Sequence, residues 1–435
     1  MNQEHGLPPN TPHAAPLVTL RLSIMMLLQY AVWGAWLPLA ARYLQAARDD
    51  GGLGFSGGQI GMILGMAGSI GAVCAPFIAG QFADRYFRTE RFLAVLLVIG
   101  GCVQWILATR SDFSSWLWLS ALYSIVYMPT LALSNSLAFA HIADADRDFP
   151  RVRVWGTIGW IAASWTFPMI YLQTDLSLGW LPPFFSGTEV SNVTARLVDS
   201  LRFAAIVSFV YAGYCLTLPA TAPKRDGVES LAFRKAFRLF KRRSFAALVL
   251  VSLLIATIHQ IYFIQASPFL SSLGVADSRI GPLMTIGQFS EIFVMAILGM
   301  MLKRVGFRTV LLAGCLAYVM RYCIWGTTSL PLWLLVASQA LHGVCFACFF
   351  AASFIYVDRI ADADVRHSAQ TVYGIMIFGG GPVLGGMLSG WLGDMFTPSG
   401  GPLDYSAFWY TIAALALVAS IMLVALFRDE TRDAV

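Results

Sequence analysis

The chain reads GQFADRYFRTER at 80–91, between two long apolar runs, and a degenerate second copy, GMMLKRVGFR, stands at 299–308. Each copy closes an apolar run with a glycine, Gly80 or Gly299, and then places basic residues in a very short turn. The runs before the two turns also open alike, with QIG at 59–61 and RIG at 279–281. Two turns of one design at matching places predict a chain built as parallel repeats of a helical membrane bundle.

The runs on either side of these turns set the class. Of 435 residues, 57% are hydrophobic and only 12% charged, and mean hydropathy is +0.68. Soluble domains carry about 25% charged residues, so the chain is an integral membrane protein. Barrel strands alternate apolar and polar residues, whereas these runs are continuous and long enough to cross a bilayer as helix. Twelve are read, near 18–44, 58–82, 92–109, 115–140, 153–173, 201–221, 245–268, 280–302, 309–327, 331–356, 368–394 and 405–427. The fold class expected is an all-α multi-pass membrane protein, with two six-helix bundles at 1–222 and 245–435. The polar N-terminal stretch shows no cleavable signal pattern, so the first run is retained as a span.

Most of the 29 basic residues fall at the N-terminal end, in the even-to-odd loops or after span 12. The positive-inside rule then places both termini in the cytoplasm and accounts for the net charge of +5 without a nucleic-acid partner. The densest basic segment, KRDGVESLAFRKAFRLFKRR at 224–243, sets Phe233, Phe237 and Phe240 on one face. It reads as a cytoplasmic amphipathic linker, 223–244, on the membrane surface. The seven cysteines all lie inside spans; Cys345 and Cys348 form a CxxC with no second pair or His cluster, and read as buried small hydrophobes. No metal or cofactor is expected.

Polar groups inside a bilayer are costly and usually face a cavity or a partner, so the few present are informative. Span 5 carries Arg153, Thr157 and Trp160 at i, i+4 and i+7, one face of a helix. Span 8 carries Gln288 and Glu291 at i and i+3, span 7 His259 and Gln260, span 4 Asn135, span 1 Gln29 with Trp33 and Trp36, and span 10 His342 and Phe346. Glu291 is the acid placed deepest in a span. A carboxylate there is held ionised only by a cation or hydrogen-bond donors, so it is a proton carrier, a ligand for hydroxyls, or half of a buried pair with Arg321. Amide side chains that donate and accept together match the edge of a nucleobase, and aromatic faces stack on a ring. The inventory suits a neutral, polar, ring-containing solute. No nucleophile–base pair or phosphate-cradling loop supports an enzyme.

GQFADRYFRTER resembles the loop 2–3 signature of the major facilitator superfamily, in which Asp84, Arg85 and Arg88 would act as a conformational latch. DFPRVRVWGTIGWI (148–161) resembles the start of span 5 in the bacterial nucleoside:proton symporter family. The likeness continues in LLQYAVWGAWLP of span 1, YMPTLALSN of span 4, IGQFSEIF of span 8, LHGVCF of span 10, and SAQ with GGGPVLGG of span 11. It implies a major facilitator fold and nucleoside contacts at Arg153, Thr157, Trp160, Gln260, Gln288, Glu291, His342 and Phe346. Four positions depart from the family's pattern. Phe263 stands where members have Asn, Ala347 where some have Asp, and Trp160 and His342 where they have Phe and Tyr. Losing the span 10 acid leaves Glu291 as the leading proton site.

The resemblance implies proton-coupled uptake of uridine, adenosine or similar nucleosides across a bacterial inner membrane, driven by the proton gradient without a cofactor; nothing in the sequence points to an oligomer, and a monomer is expected. The alternative is a major facilitator carrier for a sugar or nucleobase, or an uncoupled facilitator. The glycines at 379–381, followed by Pro382, read as bending points or as close-packing residues of span 11.

Overall fold

The structure is a computed structural model that describes residues 16–76, 78–79, 86–180, 184–221, 237–361, 366–398 and 401–431. Each of the twelve apolar runs lies mainly in helix over its described residues. The N-terminal half holds α1 (Leu17–Gln45), α2 (Gly57–Pro76), α3 (Thr89–Leu107) and α4 (Phe113–His141), then α5 (Ala145–Thr166) and α6 (Asp199–Cys215). The C-terminal half holds α7 (Arg243–Ser272), α8 (277–305), α9 (307–326), α10 (Leu332–Ile360), α11 (Ser368–Met395) and α12 (Tyr405–Leu426).

Local chemistry explains most of the boundaries. α8 and α9 run into one another except at Gly306, whose φ of 79° and ψ of 170° reverse the chain; only glycine adopts that backbone without strain. The turn thus falls at Gly306, and helix continues through Gly299, where the repeat reading ended the span. Asp112, Asp144 and Asp404 each cap a helix by accepting a backbone N–H, from Ser115 at 2.8 Å, Arg147 at 3.1 Å and Ala407 at 3.1 Å. A side-chain acceptor at this position satisfies a donor that the first helical turn leaves unpaired. The exposed Asp112 carboxyl is held below its usual range by that hydrogen bond from Ser115. Ser56 and Gln59 cap α2 reciprocally as a capping box.

A small antiparallel hairpin, β1 (Gln173–Leu178) and β2 (Phe185–Glu189), fills the connection between α5 and α6. No hairpin was expected there. Its register slips between Thr174 and Ser177, where Asp175 adopts a φ of 53°.

Within each half the helices pack on their own neighbours: α1 on α5 and α6, α3 on α4 and α6, α7 on α11 and α12, and α9 on α10 and α12. This is the major facilitator architecture of two six-helix bundles. The bundles meet through α2 against α11, α1 against α7 and α5 against α8. At α2–α11 the backbones nearly touch, because a methyl group on Gly61, Gly65, Gly386 or Gly390 would strike the facing main chain. Small residues permit such approach where no hydrophobic force drives helices together.

The contacts are strongest at the end of the bundle away from the termini. There Arg42 of α1 pairs with Asp277 of α8 at 3.1 Å, and Glu189 of β2 accepts the Ser278 backbone N–H at 2.7 Å. Trp165 of α5 donates to Thr285 at 2.8 Å. Asp84 and Arg85 of the expected latch lie outside the described residues. Arg88 stands exposed at the start of α3. Of the basic linker, 223–236 also lie outside, and Phe237–Lys241 forms a short 3-10 helix leading into α7.

Candidate binding site between the two bundles

The N-terminal wall is built by α1 and α5. Gly156 and Gly159 let the two helices approach closely enough to pack side by side. Arg153 lies over the Tyr30 ring at 4.1 Å, a cation–π contact worth about 0.5–2 kcal/mol depending on how dry it is. Trp160 meets Trp33 edge-on at 5.7 Å, and Trp33 meets Tyr127 at 6.1 Å. Thr157 lies between Arg153 and Trp160 on the same face and is half-buried, with no hydrogen bond to a described residue.

The C-terminal wall comes from α7, α8, α9 and α10. Trp160 reaches it through Phe263, 6.5 Å away across the bundle interface. Beyond Phe263 a nest of rings follows: His259 at 5.2 Å, His342 at 6.3 Å, and His259 stacked on His342 at 5.2 Å. Phe346 lies 6.3 Å from His259. A line of aromatic faces therefore runs from Trp33 to Phe346 through both halves.

Glu291 of α8 is half-buried and has no hydrogen-bond partner among the described residues. The charge acting on it comes from the other half, from the Arg153 guanidinium. Gln288, one turn earlier, is buried, and its Oε1 has no partner among the described residues. An unsatisfied buried amide oxygen beside an unpaired carboxylate is an arrangement that invites a hydrogen-bonding ligand.

Other groups sort differently from the sequence reading. Gln260 Nε2 donates across the bundle interface to the Leu64 carbonyl at 3.0 Å. Leu64 lies in a π-helical stretch, Met62–Ala67, where the widened turn disturbs the regular helical hydrogen bonds. Gln260 is therefore a tie between halves. Arg321 is not paired with Glu291. It is fully buried, bonded to His342 Nδ1 at 3.1 Å and to Gln339 Oε1, and lies over the Tyr262 ring at 4.0 Å. Gln29 donates to Thr130 at 2.8 Å inside the N-terminal bundle, and Asn135 Oδ1 is buried without a partner among the described residues.

The structure thus sets Trp160 against Phe263 across the interface and Glu291 within the field of Arg153 from the opposite half, with His342 and Phe346 beside His259 on the C-terminal wall. Tyr30, Trp33, His259 and Phe263 are not among the nucleoside contacts that the resemblance implies, yet all four lie against residues of the two walls. The signal for two of them was present: His259 and Phe263 are i and i+4, and so share a face of α7.

Membrane-spanning helices packed as two bundles, with polar side chains between the halves, define a secondary transporter of the major facilitator type. Residues 17–432 match the family described as Nucleoside H+ symporter, and the chain belongs to that family. Among its relatives, the transporter YegT of Escherichia coli (strain K12) is 32% identical over 428 residues, covering 95% of each chain. A xanthosine permease of the same organism is 28% identical over 424 residues, covering 93% of this chain and 94% of its own. A solved structure of a point mutant of the nucleoside transporter NupG superposes with a TM-score of 0.82 at 26% identity, covering 94% of this chain and 100% of its own.

Proposed function

We propose that a nucleoside binds between the two walls, held by Arg153, Thr157 and Trp160 from one half and by Gln260, Gln288, Glu291, His342 and Phe346 from the other. The transport is proton-coupled uptake by alternating access. The observation that carries the site is Glu291: a half-buried carboxylate with no hydrogen-bond partner among the described residues, within the field of the Arg153 charge from the opposite bundle.

Glu291 is the coupling residue. Protonated, it donates to the ligand and needs no counter-charge; ionised, it is held by Arg153. Coupling requires that proton and nucleoside each favour one arrangement of the halves over the other. The aromatic line from Trp33 to Phe346 receives the base, and the amides of Gln260 and Gln288 match its mixed donor and acceptor edge. Uridine and adenosine are the first substrates to try. No cofactor takes part, and the proton gradient supplies the drive.

The protein works as a monomer in the bacterial cytoplasmic membrane, with both termini inside as the lysine and arginine bias directs. The bundles are 1–222 and 245–435, joined by a surface linker at 223–244. Asp84, Arg85 and Arg88 latch α2 to α3 on the cytoplasmic side.

The test is uptake of labelled uridine and adenosine into proteoliposomes under an imposed inward proton gradient. Accumulation above equilibrium that collapses with protonophore supports the reading. Equilibration indifferent to the gradient leaves a facilitator, and no uptake by folded protein moves the substrate class to sugars or free bases.

A further inference from the structure

His342 sits where four helices converge, and its surroundings fix its chemistry. From α9, Arg321 reaches Nδ1 at 3.1 Å. From α7, His259 stacks on its face and Tyr262 lies against it, each at 5.2 Å between ring centroids. From α8, Gly287 packs on the ring, and the Glu291 backbone lies against neighbouring Gly343. Tyr318 and Tyr322 of α9 complete the cluster, Tyr318 through a 2.6 Å bond to His259 Nδ1 and Tyr322 beside the Arg321 guanidinium at 5.8 Å. His342 Nε2 has no partner among the described residues.

A guanidinium only donates hydrogen bonds and is always charged. The Nδ1 that receives Arg321 must therefore carry a lone pair, and the proton of a neutral imidazole must sit on Nε2. A second proton on Nδ1 would break the bond and set two cations against one another in a buried cluster. Among the described residues Arg321 has no carboxylate to shed its charge on; Gln339 Oε1 and the Tyr262 face hold it in place.

We propose that Arg321 is a positioning residue that locks His342 as the neutral Nε2–H tautomer, giving the C-terminal wall a permanent hydrogen-bond donor that selects ligands presenting an oxygen or ring-nitrogen acceptor there. The inference rests on the nucleoside reading for the ligand and on hydrogen-bond geometry alone for the lock. It also separates two roles that lie side by side. His342 recognises and does not titrate, so proton coupling stays with Glu291. The ligand class that results is a nucleoside whose base carries a carbonyl or an unprotonated ring nitrogen toward α10.

The lock is read directly by nitrogen NMR of full-length protein with labelled histidine, the His342 signals assigned by their loss in His342→Gln. The expected result is Nδ1 unprotonated and Nε2 protonated across about pH 5.5–7.5, a unit either side of free histidine. In Arg321→Met the same ring titrates within that range, and in Arg321→Lys, which keeps a donor, it does not. A wild-type His342 that titrates, or that carries its proton on Nδ1, overturns the proposal.

The ligand side is read by uridine binding. His342→Phe weakens it about tenfold, the cost of a lost donor to a buried acceptor, and His342→Gln recovers most of that loss. Equal losses in the two variants overturn the donor role. These two variants leave Arg321 in place and keep the test valid where Arg321→Met fails to fold. Wild-type protein that binds no nucleoside removes the substrate reading, while the NMR result still decides the lock.

Discussion

The two walls of the site are built on opposite principles. The N-terminal wall is rings meeting edge-on, with Arg153 lying over Tyr30 and Thr157 unbonded. Few of its side chains are fixed by hydrogen bonds. The C-terminal wall is a buried network in which Arg321, Gln339, His342, His259 and Tyr318 hold one another, with Arg321 Nε and Gln339 Nε2 left without a partner among the described residues. Buried networks of this kind are rigid when satisfied and costly when broken. The difference shows how a carrier can keep its chemistry while its halves move: one wall is held by its own network, and the other is free of such ties and supplies the charge that acts on Glu291.

That contrast can be broken at several points. The largest effect is expected from Arg153→Met, which removes the cation facing Glu291; gradient-driven uptake should fall about a hundredfold, as for losing one partner of a desolvated charge pair. Retained accumulation would mean that the N-terminal wall has no part in coupling. Next, Trp160→Ala interrupts the aromatic line at the bundle interface. The uridine KM should rise about tenfold, the scale of one lost aromatic contact with its buried area, and Trp160→Phe should restore most of it.

Smaller effects are expected where the halves are tied together. Asp277→Asn removes the partner of Arg42 at the end away from the termini. With the native cysteines replaced, a cysteine at the buried Gln265 should then react with maleimide a few-fold faster, because the sealed arrangement loses about 1 kcal/mol. Gln260→Leu, which cuts the single bond to the Leu64 carbonyl, should change that rate by less than about threefold, interhelical hydrogen bonds in membranes averaging near 0.6 kcal/mol. A larger effect from Gln260 than from Asp277 would reverse the ranking of the two ties.

The fold was legible because hydropathy and charge placement report directly on the bilayer. Runs of about 20 apolar residues have one stable form there, and the short basic turns mark the repeat. The hairpin at 173–189 was not legible: its strands, QTDLSL and FSGTE, are mostly polar and exposed and follow no membrane rule.

Site residues on regular helix, such as Arg153, Thr157 and Trp160, could be assigned to one face by spacing. Phe346 was harder, since it opens a π-helical stretch, Phe346–Ala351, where the 3.6-residue period no longer tells which way a side chain points. Gln260 and Arg321 depend on partners distant in sequence, Leu64 and the pair Gln339 and His342. A single sequence names such residues without choosing between them. The expected alternative of an Arg321–Glu291 pair failed for this reason: both residues are costly in a bilayer, but one found neutral partners and the other faced a cation from the opposite half.

The central claim is that Glu291 carries the proton between two walls that together hold a nucleoside. The measurement that tests it most directly is Glu291→Gln in proteoliposomes, comparing uridine counterflow with gradient-driven accumulation. Counterflow retained while accumulation is lost is the predicted result, since glutamine keeps the hydrogen bonds and cannot shuttle a proton. Accumulation that survives the substitution would contradict the account and place the proton elsewhere.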